Sequence, residues 1–392
     1  MTAPVLPPRQ IFWTRRRVKS LVVQAVFLGG LAWLFYFLFA NTTANLQRQG
    51  IASGFGFLSQ RAGFDVSLSF LPFTSDSSYG RAFWVAVVNA LVLSALGIVL
   101  ATVLGFGLGL ARVSKNWLIA RLATVYIEIF RNIPLLLQLF FWYFAILRQL
   151  PGPKESLVLA DLVILNNRGL YMPRPQVDQG GWAIMVCFAA GLCMALVMTL
   201  RARQQRLKTG HGPKSWYWWP VGLFALPLTA FVLTGASLSF VIPELRGFNY
   251  RGGMLMLPEM LAALLGLGFY ISAAIGEIVR SGIQGVDRGQ VEAASALGLG
   301  RRDIMRLVVL PQAMRIIIPP LATQYLSLAK NTSLAAAIAF PEIISIVAGT
   351  TLTQTGQALE AITLAMLFYM SVSLSIAAVM NFLNYRVLRH GN

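Results

Sequence analysis

Residues 280–320 read RSGIQGVDRGQVEAASALGLGRRDIMRLVVLPQAMRIIIPP. Asp287 to Leu297 fits a short helix with Val291, Ala294 and Leu297 on one face. Gly298 suits the left-handed position that ends a helix. Ile304, Leu307 and Val308 then carry an apolar stripe as far as Pro311, which is expected to break it. A helix of small residues (Ala293, Ala294, Ser295, Ala296) beside a glycine turn lets two backbones approach closely. Its chemistry is therefore docking, either into a groove on another protein or onto the membrane surface as a structured loop.

Charges inside apolar sequence are the second signal, because each costs roughly 2.5–3.5 kcal/mol at a bilayer centre on insertion scales. Lys330 falls within an apolar run and is followed by Asn331, Thr332 and Ser333. In one reading these four line a polar path through the bilayer and attract an anionic group; in the other the lysine snorkels outward or pairs for packing. Glu277 and Arg280 share a helix face, and Glu128 and Arg131 repeat that spacing before Pro134. Both pairs fit structural ion pairs at the inner membrane edge, or gating contacts.

Catalytic patterns are missing. The nearest string to a phosphate loop, Gly210 to Ser215, reads GHGPKS, with Pro213 where a glycine is required. There is no nucleophile elbow, zinc histidine pair or paired-carboxylate setting. Cys187 and Cys193 point in different directions on one helix, and His211 and His390 lie in basic stretches, so neither a disulfide nor a metal centre is expected.

The elements that must position these residues follow from composition. With 57% hydrophobic and 12% charged residues over 392 positions, the chain is too apolar for an ordinary soluble protein. Continuous apolar runs that do not alternate exclude a β-barrel. Eight runs, at about 22–40, 85–110, 133–149, 182–200, 216–235, 257–279, 316–338 and 362–385, predict an all-α polytopic membrane protein. Trp216, Tyr217, Trp218 and Trp219 stand where the fifth run would meet headgroups. The long outer segments 41–84, 150–181 and 236–256 read as loops with short helices, with an interfacial stretch around Ile51–Phe64.

An even number of spans puts both termini on one side. Placing them in the cytoplasm leaves 22 of the 32 Lys+Arg on inner segments and nine on outer ones, with Lys330 inside a span. The outer segments also carry nine acidic residues, so the whole net charge of +18 is cytoplasmic. It is thus an orientation signal, and not the footprint of a nucleic-acid partner. Gly105 and Gly109 in the second run permit close helix contact, for subunit packing or for the bundle core.

The loop resembles the signature of permease subunits of bacterial ABC importers: Glu-Ala-Ala, three residues, Gly, nine residues, Ile, one residue, Leu-Pro. Glu292, Ala293, Ala294, Gly298, Leu310 and Pro311 match at that spacing, and Val308 replaces Ile. The segments 269–299, 127–144 and 327–344 are similar to the polar amino-acid branch, with Asn132 and Ile133 where Gly and Thr are common. The enlarged chain looks like the permeases of general L-amino-acid or glutamate/glutamine/aspartate/asparagine importers.

That resemblance implies a type I importer permease fold. A cytoplasmic N-terminus (1–21) and an added helix (22–40) would precede a permease domain (85–385), which an insertion at 150–255 interrupts. Residues 280–315 would be the cytoplasmic coupling loop, with Gly289, Gln290, Glu292, Ala293, Ala294, Gly298, Leu310 and Pro311 contacting an ATPase. No cofactor is expected in this chain, ATP and Mg being used by the partner ATPase. The implied partners are an ATP-binding subunit dimer, a second permease subunit, an extracytoplasmic solute-binding protein, the amino-acid substrate and membrane lipid, with no nucleic acid. The implied location is the bacterial inner membrane. An ion-gradient-driven carrier and a membrane-bound enzyme or anchor are the competing classes; the coupling loop argues against both.

Overall fold

A computed structural model of the chain describes residues 15–48, 54–160, 162–177, 181–209, 219–235 and 238–389. The GHGPKS string with His211, the aromatics Trp216, Tyr217 and Trp218, His390 and the start of the Ile51–Phe64 stretch lie outside the described residues.

In chain order the helices are α1 (Arg15–Arg48), α2 (Tyr79–Arg112), α3 (Trp117–Asn132), α4 (Leu135–Phe140), α5 (Gly181–Thr209) and α6 (Trp219–Leu233). They continue with α7 (Pro258–Gln284), α8 (Arg288–Ala296), α9 (Arg301–Asp303), α10 (Leu310–Asn331), α11 (Leu352–Thr355) and α12 (Ala358–Arg389). The eight apolar runs are mainly helical where described, the run at 133–149 being broken at Ile133–Pro134.

Among the described residues, five helical stretches are long and apolar enough to cross a membrane: Lys19–Thr42, Tyr79–Arg112, Pro258–Gln284, Arg301–Ile338 and Ala358–Tyr385. Helix α3 and the stretch Leu135–Gln149 make a sixth if they count as one span bent by 104°. The break is at Ile133–Pro134, where proline removes a backbone donor and holds the preceding residue extended (ψ 125° at Ile133). In the inserted pair the described apolar stretches are Ala183–Ala195 within α5 and Leu223–Leu233 within α6.

Two expectations need correction. Pro311 does not end the helix: the chain is helical without interruption from Arg301 to Ile338. A π stretch over Ile304–Val309 immediately precedes the proline. It rearranges the carbonyls that a proline ring would otherwise strike, so the missing N–H is tolerated.

The segments 150–181 and 236–256, expected to be loops with short helices, hold strands as well where described. Strands β1 (Leu157–Leu159), β2 (Val163–Asn166), β3 (Gly169–Met172), β4 (Arg174–Val177), β5 (Leu238–Val241), β6 (Glu244–Arg246), β7 (Asn249–Arg251) and β8 (Met254–Met256) form three antiparallel sheets. The largest has the order β1-β2-β3-β8; β4 pairs with β5 and β6 with β7. In β2 and β3 buried and half-buried positions alternate, as a one-sided sheet requires. Because β3 pairs with β8 and β4 with β5, the sheets close the two ends of the α5–α6 insertion.

The chain divides into two compact units, one of Met1–Ser94, Tyr325–Ala336 and Pro341–Asn392, the other of Ala95–Gln324 and Ala337–Phe340. In the first, Ala82, Val85, Ala86 and Ala90 of α2 pack with Ile343, Ile346, Val347 and with Ala361, Ala365 and Phe368 of α12. Phe57, within the stretch expected at the membrane interface, is buried with Ala62 and Tyr79. In the second unit α7 is the central helix. A Cβ on Gly105 would come within 2.5 Å of Ile275 Cβ, and one on Gly109 within 2.5 Å of Val279 Cβ. The two glycines therefore serve contact between α2 and α7 in the bundle core.

Candidate functional site

The segment between α7 and α10 is a capped helix and a turn. Asp287 opens α8 by accepting the Gly289 N–H on its side chain at 2.9 Å, while its carbonyl accepts from Gln290 N–H at 3.1 Å. At the other end Gly298 has φ +77°. Its N–H donates to Ser295 O at 3.0 Å, and Leu299 N–H donates to Ala294 O at 3.3 Å. This pair of bonds is a Schellman motif, which satisfies the last carbonyls and reverses the chain.

Ala294 is buried and α8 lies against the π stretch Ile304–Val309, so one face of the short helix is held by its own chain. Gly289, Gln290, Glu292 and Ala293 are exposed, as are Gly298, Leu310 and Pro311. Leu297 stands 81% exposed and Leu307 61%. The capped helix thus displays small residues and the Glu292 carboxylate, with Leu297 uncovered at its end and Leu307 uncovered in the adjoining π stretch.

A charge cluster stands close to the start of this loop. Glu277 accepts from Arg280 Nε at 3.1 Å on each carboxylate oxygen and also pairs with Arg112, the last residue of α2. Arg280 in turn donates to Gln284. The expected Glu277–Arg280 pair is thus half of a three-residue clamp between α2 and α7. Arg112 escaped the sequence reading because it lies 165 residues from its partner; the only local hint was a basic residue directly closing an apolar run. Glu128 and Arg131 are both exposed and no ion pair joins them among the described residues.

The other candidate group lies at the end of α10. Lys330 is exposed, Asn331 and Ser333 are half-buried and Thr332 is buried. There the helix tightens into 3-10 turns over Thr332–Ile338. The Thr332 hydroxyl donates to Ala329 O and the Ser333 hydroxyl to Lys330 O, both at 2.8 Å. These bonds occupy the hydroxyl protons and fix the turn. No group of His, Cys, Asp and Glu among the described residues could hold a metal ion.

Residues 97–390 match the family described as binding-protein-dependent transport system inner membrane component. The chain is 48% identical to the putative amino-acid ABC transporter permease protein YhdX of Escherichia coli K12, over 94% of this chain and 93% of that protein. It is 44% identical to the general L-amino acid transport system permease protein AapQ of Rhizobium johnstonii, over 95% and 92% of the two chains. Identity is 37% to the glutamate/glutamine/aspartate/asparagine transport system permease protein BztB of Rhodobacter capsulatus, over 94% and 93%.

Proposed function

The chain belongs to the family of binding-protein-dependent transport system inner membrane components, and from that membership we propose that it is the permease subunit of an ATP-driven importer of polar L-amino acids. The relatives described as general L-amino acid and as glutamate/glutamine/aspartate/asparagine permeases support that substrate range. The observation that carries the mechanism is α8, anchored to its own chain on one face and open on the other. In this reading α8 and its glycine turn seat in a cleft of a cytoplasmic ATPase dimer. Gly289, Gln290, Glu292, Ala293, Ala294, Gly298, Leu310 and Pro311 form or shape the contact.

ATPase closure then moves α7 and α10 from their loop ends, and the Arg112–Glu277–Arg280 clamp carries the movement into α2. The path alternates between an outward opening that receives substrate from a docked solute-binding protein and an inward opening that releases it. A second permease completes the path, and the Lys330–Ser333 turn lines it, with Lys330 attracting the α-carboxylate. The charge distribution puts both termini in the cytoplasm. ATP and Mg are consumed by the partner, since this chain contributes no phosphate loop.

Reconstitution with the cognate ATPase and binding protein, scored for uptake of labelled L-amino acids, tests the reading. ATP-dependent uptake of acidic and amide amino acids is expected. Uptake that persists without the ATPase and collapses with the ion gradient would replace it with a gradient-driven carrier.

A further inference from the structure

Gln138 carries a polar amide, yet it is only 4% exposed. It stands in α4, just beyond the 104° bend that separates α3 from the stretch Leu135–Gln149. Its Nε2 donates to Phe130 O and to Ile133 O, both at 2.9 Å. In an unbroken helix Phe130 O would accept from the backbone N–H of position 134, but Pro134 has none. Ile133 is extended, with ψ 125°, which turns its carbonyl out of the helical ladder. One amide group thus supplies both donors that the break at Pro134 leaves wanting.

The oxygen of the same amide points to the same role. Gln138 Oε1 is buried and has no hydrogen-bond partner among the described residues. Turning the amide over would set that oxygen against two carbonyl oxygens, so the two bonds fix its orientation. An orphaned buried acceptor is costly, and an apolar side chain of similar size would be free of that cost. The glutamine is therefore held for its two N–H groups and not for packing.

Both arms of the bend pack on α7. A Cβ on Gly276 would come within 3.1 Å of Ile127 Cδ1 from α3, and one on Gly266 within 2.7 Å of Leu139 Cδ2 from α4. Phe269, between those glycines, meets Phe130 before the bend at 5.5 Å between ring centroids and Trp142 after it at 5.3 Å. The two arms clasp α7 together only while the bend is kept, and α7 is the helix that leads to α8.

We propose that Gln138 is a positioning residue for transport, whose amide holds the bend at Pro134 and so keeps both arms of the broken span on α7. Its effect on transport rests on the permease role proposed above; its hold on the bend does not.

In the assembled importer, with Cys187 and Cys193 replaced by serine, nitroxides are attached at L118C and F144C, both exposed positions. Their separation is read by double electron–electron resonance, any second copy of the chain being left unlabelled. At about 1.5 Å per residue, the two backbone positions stand about 25 Å apart across the 104° bend and about 39 Å apart on a straight helix. Q138M keeps the length of the side chain and has no donor. Loss of two bonds should lower the ratio of bent to opened span about twenty-fivefold, so a second, longer distance should appear while amino-acid uptake slows. P134A/Q138M returns an N–H to Phe130 O and is expected to favour the straight span further.

A longer distance with slower uptake supports the proposal. A longer distance with full uptake overturns the role in transport, and an unchanged distance in both variants overturns the proposal whatever uptake does. Failure of both variants to assemble would also overturn it, by assigning Gln138 to folding. If the parent importer shows no ATP-dependent uptake, the permease role fails, while the distances still decide the hold on the bend.

Discussion

Glu277 is the residue that the α2–α7 clamp cannot lose, because it accepts from two guanidinium groups while each of those shares only one carboxylate. Arg112→Met leaves the Glu277–Arg280 pair and is expected to cost about 2 kcal/mol, the range of a hydrogen bond to a charged group. Glu277→Ala strands two half-buried arginines and should cost more. Thermal unfolding of the detergent-solubilised protein checks the order, and equal losses would show that α2 does not depend on the clamp.

Glu342 gives a pH signature of its own. Its folded value of about 7 lies above the ordinary 4.5. The folded state therefore holds the proton more tightly than the unfolded one. The stability this group contributes is fully present below about pH 4.5 and is lost as pH rises through about 7, by roughly 3 kcal/mol in all. Glu342→Gln should abolish that slope, read as unfolding midpoints at about pH 5 and about pH 8. A wild-type slope in the variant would assign the pH dependence to another group.

At the scale of elements, α8 was legible because its signals are local. The small residues of the helix begun at Asp287 and Gly298 at its stop lie within a dozen positions; the structure ends the helix there and adds Asp287 as its N-cap. Gly298→Val puts a β-branched residue at φ +77°, a strain of about 1–2 kcal/mol concentrated in the turn. Membrane insertion should be unaffected while ATP hydrolysis and uptake uncouple, measured as transported substrate per ATP. Gly109→Leu has the opposite profile. A larger side chain cannot fit 2.5 Å from Val279 Cβ, so α2 must move from α7 at a cost of about 1–3 kcal/mol. Here stability should fall together with transport; normal stability would mean that the two helices separate freely.

The strands of the insertion were not legible in the same way. Each is three or four residues long, too short for alternation to stand out from a loop. The register Tyr171↔Leu255 joins positions separated by two whole helices. Pro311 shows a converse error: the rule that proline breaks a helix holds for regular α winding, and a preceding π stretch removes its premise.

At the scale of the molecule, charge asymmetry makes a sided prediction. If the basic excess marks the cytoplasmic side, a cysteine in place of Leu297 should react with a membrane-impermeant reagent only in inside-out vesicles. One in place of Phe248, 79% exposed in the turn between β6 and β7, should react only in right-side-out vesicles. Labelling of both from one side would refute the topology.

The sequence alone determined that the chain is helical and apolar enough for a membrane, that a short helix stops at Gly298, and which loop carries that helix. These are settled by hydropathy and cap chemistry among near neighbours. Tertiary structure decided which distant group closes each contact: Arg112 on Glu277, Tyr369 on Glu342, β8 on β3, and Ile275 and Val279 against Gly105 and Gly109. A side chain's type says what it can bond, but which partner arrives depends on how far-separated segments pack, and local spacing holds no record of that.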